Sequence, residues 1–156
     1  MGNQPTVYRF WQYGSLGLSV LLYLLCLPLD AFCASACQPS YSILISGPFG
    51  LLASLTNWTW LANPVLFGAW VALAFGAKTV SEALEFAALA LALSVLALLI
   101  AISFLLQREV ITNEAGIPNP IRAYGIGYWV WLSSMVVCCL GSMATTELSV
   151  AYKSKE

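Results

Sequence analysis

The sequence predicts an all-α integral membrane protein: a four-span transmembrane helix bundle with one short interfacial or re-entrant outer helix, formed as a single domain over residues 1–156. Three observations carry this expectation. The chain is 60% hydrophobic and only 8% charged, where soluble domains average about 45–50% apolar and about 25% charged. Four stretches, at 10–29, 58–77, 86–106 and 126–146, reach the roughly 20 apolar residues that cross a hydrocarbon core about 30 Å thick. The central portions of those stretches hold no Asp, Glu, Lys or Arg, as lipid contact requires.

The first span runs from Phe10 to Leu29 and leads into "CLPLDAFCASACQPS", residues 26–40. Arg9, the apolar run Leu16–Leu27, Pro28 and Ala34-Ser35-Ala36 also fit the pattern of a cleaved secretory signal. Cleavage would leave three spans and an outer N-terminus, so the uncleaved first helix is the reading kept. The next apolar segment, 41–55, is short and broken by Gly47-Pro48, which predicts a helix lying at the interface or dipping into it. In the second span Pro64 sits near the start, where a missing amide donor costs least or produces a kink. Gly68, Ala72 and Gly76 then form a row of small side chains at four-residue spacing, the pattern that lets helices approach closely in lipid.

The third span opens with Thr79 and Glu82 at capping-box spacing and Glu85 a turn later; its small residues include Ala97 and Ala101. The fourth carries a second small row, Ser134, Cys138 and Ser142, and Cys138 and Cys139 read as packing residues.

Lys and Arg are retained on the cytoplasmic side. With both termini inside, the inner segments hold Arg9, Lys78, Lys153 and Lys155 and the outer loops only Arg108 and Arg122. Aromatic residues agree: Tyr8, Trp11 and Tyr13 form an inner belt, and Trp58, Trp60, Tyr128, Trp129 and Trp131 an outer one. The expected location is a bacterial inner (plasma) membrane with both termini cytoplasmic.

Candidate sites lie in the outer loops. Cys33 and Cys37 would face an oxidising compartment, so they are candidates for a disulfide, either as a structural clasp or as a redox dithiol. The span count and this cysteine pair resemble the quinone-linked membrane disulfide oxidoreductases. The resemblance implies thiol–disulfide exchange at Cys33 and Cys37, but C-x-x-x-C replaces C-x-x-C, and the second outer loop has no cysteine to relay electrons. That loop, 107–129, is the longest polar stretch; Arg108, Glu109, Glu114 and Arg122 are its candidate partner contacts. "MGNQPT" matches a myristoylation pattern and Asn57-Trp58-Thr59 a glycosylation sequon; neither adds to a four-span protein.

Composition also narrows function. The chain has no histidine, which removes the commonest general base and metal ligand. A net charge of -1 gives no basic surface for nucleic acid. The expectation is a non-catalytic structural, assembly or accessory subunit of a membrane complex. It needs no cofactor and no metal, and its partners are the lipid bilayer, other membrane helices or its own copies. The alternatives are a thiol–disulfide oxidoreductase and a membrane binder, immunity or sensor protein that meets a ligand through 107–125.

Overall fold

Three stretches of this chain are helical, long and apolar enough to cross a membrane: Trp58–Phe75, Ser81–Leu106 and Ile126–Lys153. They belong to a computed structural model that describes residues 5–53, 55–75, 79–111 and 117–154. In order, the helices are α1 (Pro5–Cys26), α2 (Ser40–Ala53), α3 (Ala62–Phe75), α4 (Val80–Ser103) and α5 (Ile126–Lys153). A 3-10 segment, Leu55–Leu61, leads into α3, and another, Phe104–Leu106, closes α4. α1 matches the others in length at 22 residues. Its first half carries Arg9 and Gln12 among Tyr8, Trp11 and Tyr13, which dilutes its apolarity.

The chain is not all-α. Among the described residues, five short strands, β1 (Asp30–Cys33), β2 (Cys37–Pro39), β3 (Glu109–Ile111), β4 (Pro118–Pro120) and β5 (Ala123–Tyr124), lie in the connections between α1 and α2 and between α4 and α5. Proline explains part of this: Pro39, Pro118 and Pro120 resist helix, yet they are tolerated at strand ends and sheet edges. One antiparallel sheet runs β2-β1-β5, with Cys33 opposite Cys37 and Phe32 opposite Tyr124, and β3 pairs with β4 in a second. The short outer helix is present as α2, with Pro48 inside it. The helix expected from 86 begins earlier, at Val80, behind Thr79, whose hydroxyl accepts from the Glu82 amide at 3.1 Å.

Small residues decide how the helices meet. α5 lies antiparallel to α1: Tyr8 packs edge-on to Tyr152 with ring centroids 6.4 Å apart, the Ser19 hydroxyl donates to the Ser134 carbonyl at 2.7 Å, and Gly127 abuts the Leu29 and Asp30 carbonyls. At the crossing, a Cβ added to Gly141 would stand 2.0 Å from the Ser15 Cβ and Oγ. Ser134, Cys138 and Ser142 are all fully buried on this helix. The Ser134 and Ser142 hydroxyls bond back to their own helix, to the Trp131 and Cys138 carbonyls at 2.6 and 2.8 Å, which satisfies both donors.

The remaining core joins α3, α4 and α5 through Leu66, Ala69, Leu73, Ala90, Ala97, Ala101 and Met135. Gly68 faces α4, and its virtual Cβ meets Leu93 Cδ1 at an ordinary 3.5 Å; Ala72 is buried beside it. Gly76, the third member of that row, lies outside the described residues. Of the two described helix–helix glycines, Gly141 and Gly68, the closer approach is therefore at Gly141.

These two glycines give opposite expectations. Gly141→Ala forces α1 from α5 and lowers stability by about 1–3 kcal/mol, whereas Gly68→Ala is neutral or slightly stabilising because alanine is the better helix former by about 1 kcal/mol. Reversible unfolding in mixed micelles separates them, and equal behaviour of the two variants contradicts the packing described.

Candidate functional site

Two prolines set up the half of the molecule that carries α2 and the strands. A helical proline leaves the carbonyl four residues earlier without its donor, and in a low-dielectric surrounding an orphan carbonyl costs several kcal/mol. Pro48 does this to Leu44, and the indole of Trp60 donates to the Leu44 carbonyl at 3.1 Å. Pro64 does it to Trp60, whose carbonyl accepts from Asn63 Nδ2 at 3.1 Å. Gly47 makes the first arrangement possible, because a Cβ there would fall 1.9 Å from Trp60 Cδ1. α2 therefore rests directly on the Trp60 ring.

Asn63 extends the same set of bonds across the bundle. Its Oδ1 accepts from the Tyr23 hydroxyl of α1 at 3.1 Å and from the Trp131 indole of α5 at 3.0 Å. Asn63 and Tyr23 are both buried. One level further in, Ser19 accepts from the Trp70 indole at 2.9 Å while donating to α5, and Gln12 Nε2 donates to the Leu73 carbonyl. At the outer end, the Tyr128 hydroxyl donates to the Ala101 carbonyl at 3.0 Å, linking α5 to α4.

Between α2, the strands and the outer ends of the long helices lies a cavity of about 630 Å³. Tyr23, Trp60, Asn63, Phe104, Tyr128 and Trp131 are among the residues that line it, and none of the described lining residues is charged. Its roof is α2 and the β1–β2 hairpin, supplied by Ile43, Leu44, Gly47, Phe49, Ala31 and Phe32.

The outer strands are fixed to this frame by their backbones. Ser40 and Tyr41 amides bond to the Leu29 and Leu27 carbonyls at 2.9 and 3.0 Å, closing the base of the connection between α1 and α2. Cys33 and Cys37 form a disulfide at the opposite, tip end of the hairpin. The segment 118–125 then binds both sheets in turn: Ile121 N to Arg108 O at 2.9 Å, Arg122 N to Cys33 O at 2.8 Å, and Gly125 N to Ala31 O at 2.8 Å. Tyr124 adds a hydroxyl shared between the Phe104 and Gln107 carbonyls, at 3.3 and 3.4 Å. Burial pushes its phenol upward in pKa, which keeps it a neutral donor.

The predicted site residues thus separate into groups. Cys33 and Cys37 are bridged, Cys33 half-buried and Cys37 exposed. Arg108, Glu109 and Arg122 are exposed, with Arg108 and Arg122 drawn together by the Ile121 bond and Arg122 placed next to the disulfide strand. Glu114 lies outside the described residues. Among the described residues, no three His, Cys, Asp or Glu side chains gather as a metal-holding group. The cavity and its Asn63 centre were not foreseen. The available signal was Gly47-Pro48 and Asn63-Pro64 lying near tryptophans, since each proline frees a carbonyl that a nearby side chain must satisfy.

No family model matches this chain, and no curated protein or solved structure is significantly similar to it. The resemblance to quinone-linked oxidoreductases accordingly rests on span count and the cysteine pair alone.

Asn63→Leu leaves the Tyr23, Trp131 and Trp60 groups unpaired in the interior and lowers unfolding stability by about 1–3 kcal/mol; Tyr23→Phe, which removes one donor, costs about 0.5–1 kcal/mol. Equal effects in a micelle unfolding titration contradict a shared acceptor at Asn63. Trp60→Phe is expected to cost less in a Pro48→Ala background, where the Leu44 carbonyl regains a helical donor, giving a coupling of about 0.5–1 kcal/mol in a double-mutant cycle. A coupling of zero rules out the proline compensation.

Proposed function

We propose that this protein is a four-span membrane protein that works without catalysis, as a structural, assembly or accessory subunit whose contact face is the outer layer formed by residues 107–125. The fourth span is α1. Its course along α5, from Tyr8 beside Tyr152 to Leu29 beside Gly127, supports α1 as a span beside α5. Its 22 residues rise about 33 Å at 1.5 Å each, enough for the hydrocarbon core. The Tyr8–Tyr152 contact, with the start of α1 and the end of α5 at one end of the bundle beside Arg9 and Lys153, supports the same side for both. Under the positive-inside rule this end is the cytoplasmic one, and a bacterial inner membrane suits a bridged cysteine pair on the opposite side.

One observation carries the partner reading. The segment after α4 is held at Arg108, Arg122 and Gly125 by backbone bonds to its neighbours, while Arg108, Glu109 and Arg122 point their charge outward from exposed positions. A display ordered in advance loses little entropy on binding, and arginine is the cation enriched at interfaces. The disulfide serves this layer as a clasp, since Cys33 O is the acceptor that seats Arg122.

Affinity purification of the full chain in mild detergent, with mass identification of co-purifying proteins, tests this reading. The expected result is a specific membrane partner, or a second copy caught by cross-linking, that is lost in the Arg108→Glu/Arg122→Glu double variant. A chain that elutes only as a lone monomer overturns it. Cys33→Ser/Cys37→Ser is expected to lower stability by no more than about 2 kcal/mol, the entropy of closing so short a loop, and to retain the partner. Loss of a thiol-oxidising activity in that variant points instead to exchange chemistry.

A further inference from the structure

We propose that the outer cavity is a binding site for an uncharged membrane amphiphile: a molecule with a flat, oxygen-bearing head and an apolar tail. At about 630 Å³ the cavity falls within the range of about 300–1,000 Å³ typical of small-molecule sites, which are apolar with a few placed polar groups. None of its described lining residues is charged. A charged head buried there is strongly disfavoured without a partner, which selects for a neutral one.

Polar side chains line it from two sets of elements: Tyr23, Thr59 and Asn63, and, from the β1–β2 hairpin and α2, Gln38, Ser40, Ser42 and Ser46. Asn63 uses one Nδ2 hydrogen on Trp60 and retains the second; Tyr23 gives its proton to Asn63 and retains oxygen lone pairs. Thr59, buried in the same wall, adds a hydroxyl. Together they offer a donor and acceptors to a carbonyl or hydroxyl oxygen. The aromatic walls, including Trp60, Phe104, Tyr128 and Trp131, favour a ring that can stack or meet them edge-on. The tail has an exit at α2, because Phe49 lines the cavity and is 71% exposed. A bulk phospholipid brings ester carbonyls, but it also brings a phosphate charge for which the described lining has no partner.

This site does not depend on the outer-face partner, and the test uses the isolated full chain. Saturable binding of radiolabelled decylbenzoquinone is measured in dodecyl maltoside, with unlabelled decylbenzoquinone, decanoate and dioleoyl phosphatidylglycerol as competitors. The expected result is one saturable site displaced by the unlabelled quinone and by neither of the other two. Asn63→Ala weakens binding at least about tenfold, the equivalent of one lost hydrogen bond. Ser46→Phe, which fills the cavity from an exposed position on α2 and leaves the Asn63 bonds intact, weakens it at least as much. Non-saturable uptake, equal displacement by decanoate or the phospholipid, or full affinity in Ser46→Phe overturns the proposal.

Discussion

The carboxamide of Asn63 stands where α1, α3 and α5 converge, accepting from Tyr23 and Trp131 and donating to the Trp60 carbonyl. Within a membrane-embedded bundle, helices gain little from burying apolar surface against one another, so small-residue packing and interhelical hydrogen bonds fix their arrangement. Here the two devices divide the molecule. Toward the inner half, Gly141 against Ser15 sets the spacing of α1 and α5. Toward the outer half, where α2 and the strands replace close packing with a cavity, Asn63 holds the walls at a distance that contact alone would not maintain.

The same residue reaches α2 indirectly. Asn63 satisfies the Trp60 carbonyl that Pro64 leaves open, and Trp60 satisfies the Leu44 carbonyl that Pro48 leaves open. Each proline weakens a helix locally, and each weakness becomes an attachment point. The Trp60 indole is one attachment of this roof, beside the Ser40 and Tyr41 amide bonds to the Leu29 and Leu27 carbonyls. The outer strands add a stiffer frame, with the disulfide at the tip of the β1–β2 hairpin and the 118–125 segment bonded across both sheets.

Much of the helical scaffold was legible in the sequence because apolar run length is a strong signal: α2, α3, α4 and α5 all fall on stretches that hydropathy marks. The strands were not, since β1 and β2 are three or four residues long, and β5 pairs with β1 across most of the chain. No local pattern encodes such a pairing. Cys33 and Cys37 were recognised as a pair, and their disulfide is present. The cavity was invisible for a different reason: Tyr23, Asn63 and Trp131 come from three separate helices, and read singly each is an ordinary interfacial residue. Pro48 was read as a break and Pro64 as tolerated or kinking near a helix start, whereas the Leu44 and Trp60 carbonyls accept from Trp60 and Asn63.

Hydrogen–deuterium exchange of the wild type and Asn63→Leu, followed by mass spectrometry in lipid nanodiscs, addresses the central role of Asn63 most directly. If that carboxamide holds the outer half together, α2 and the outer ends of α1 and α5 lose protection in the variant, while the segment around Gly141 and Ser15 keeps it. Unchanged protection of α2, or a uniform loss over every helix, contradicts the account.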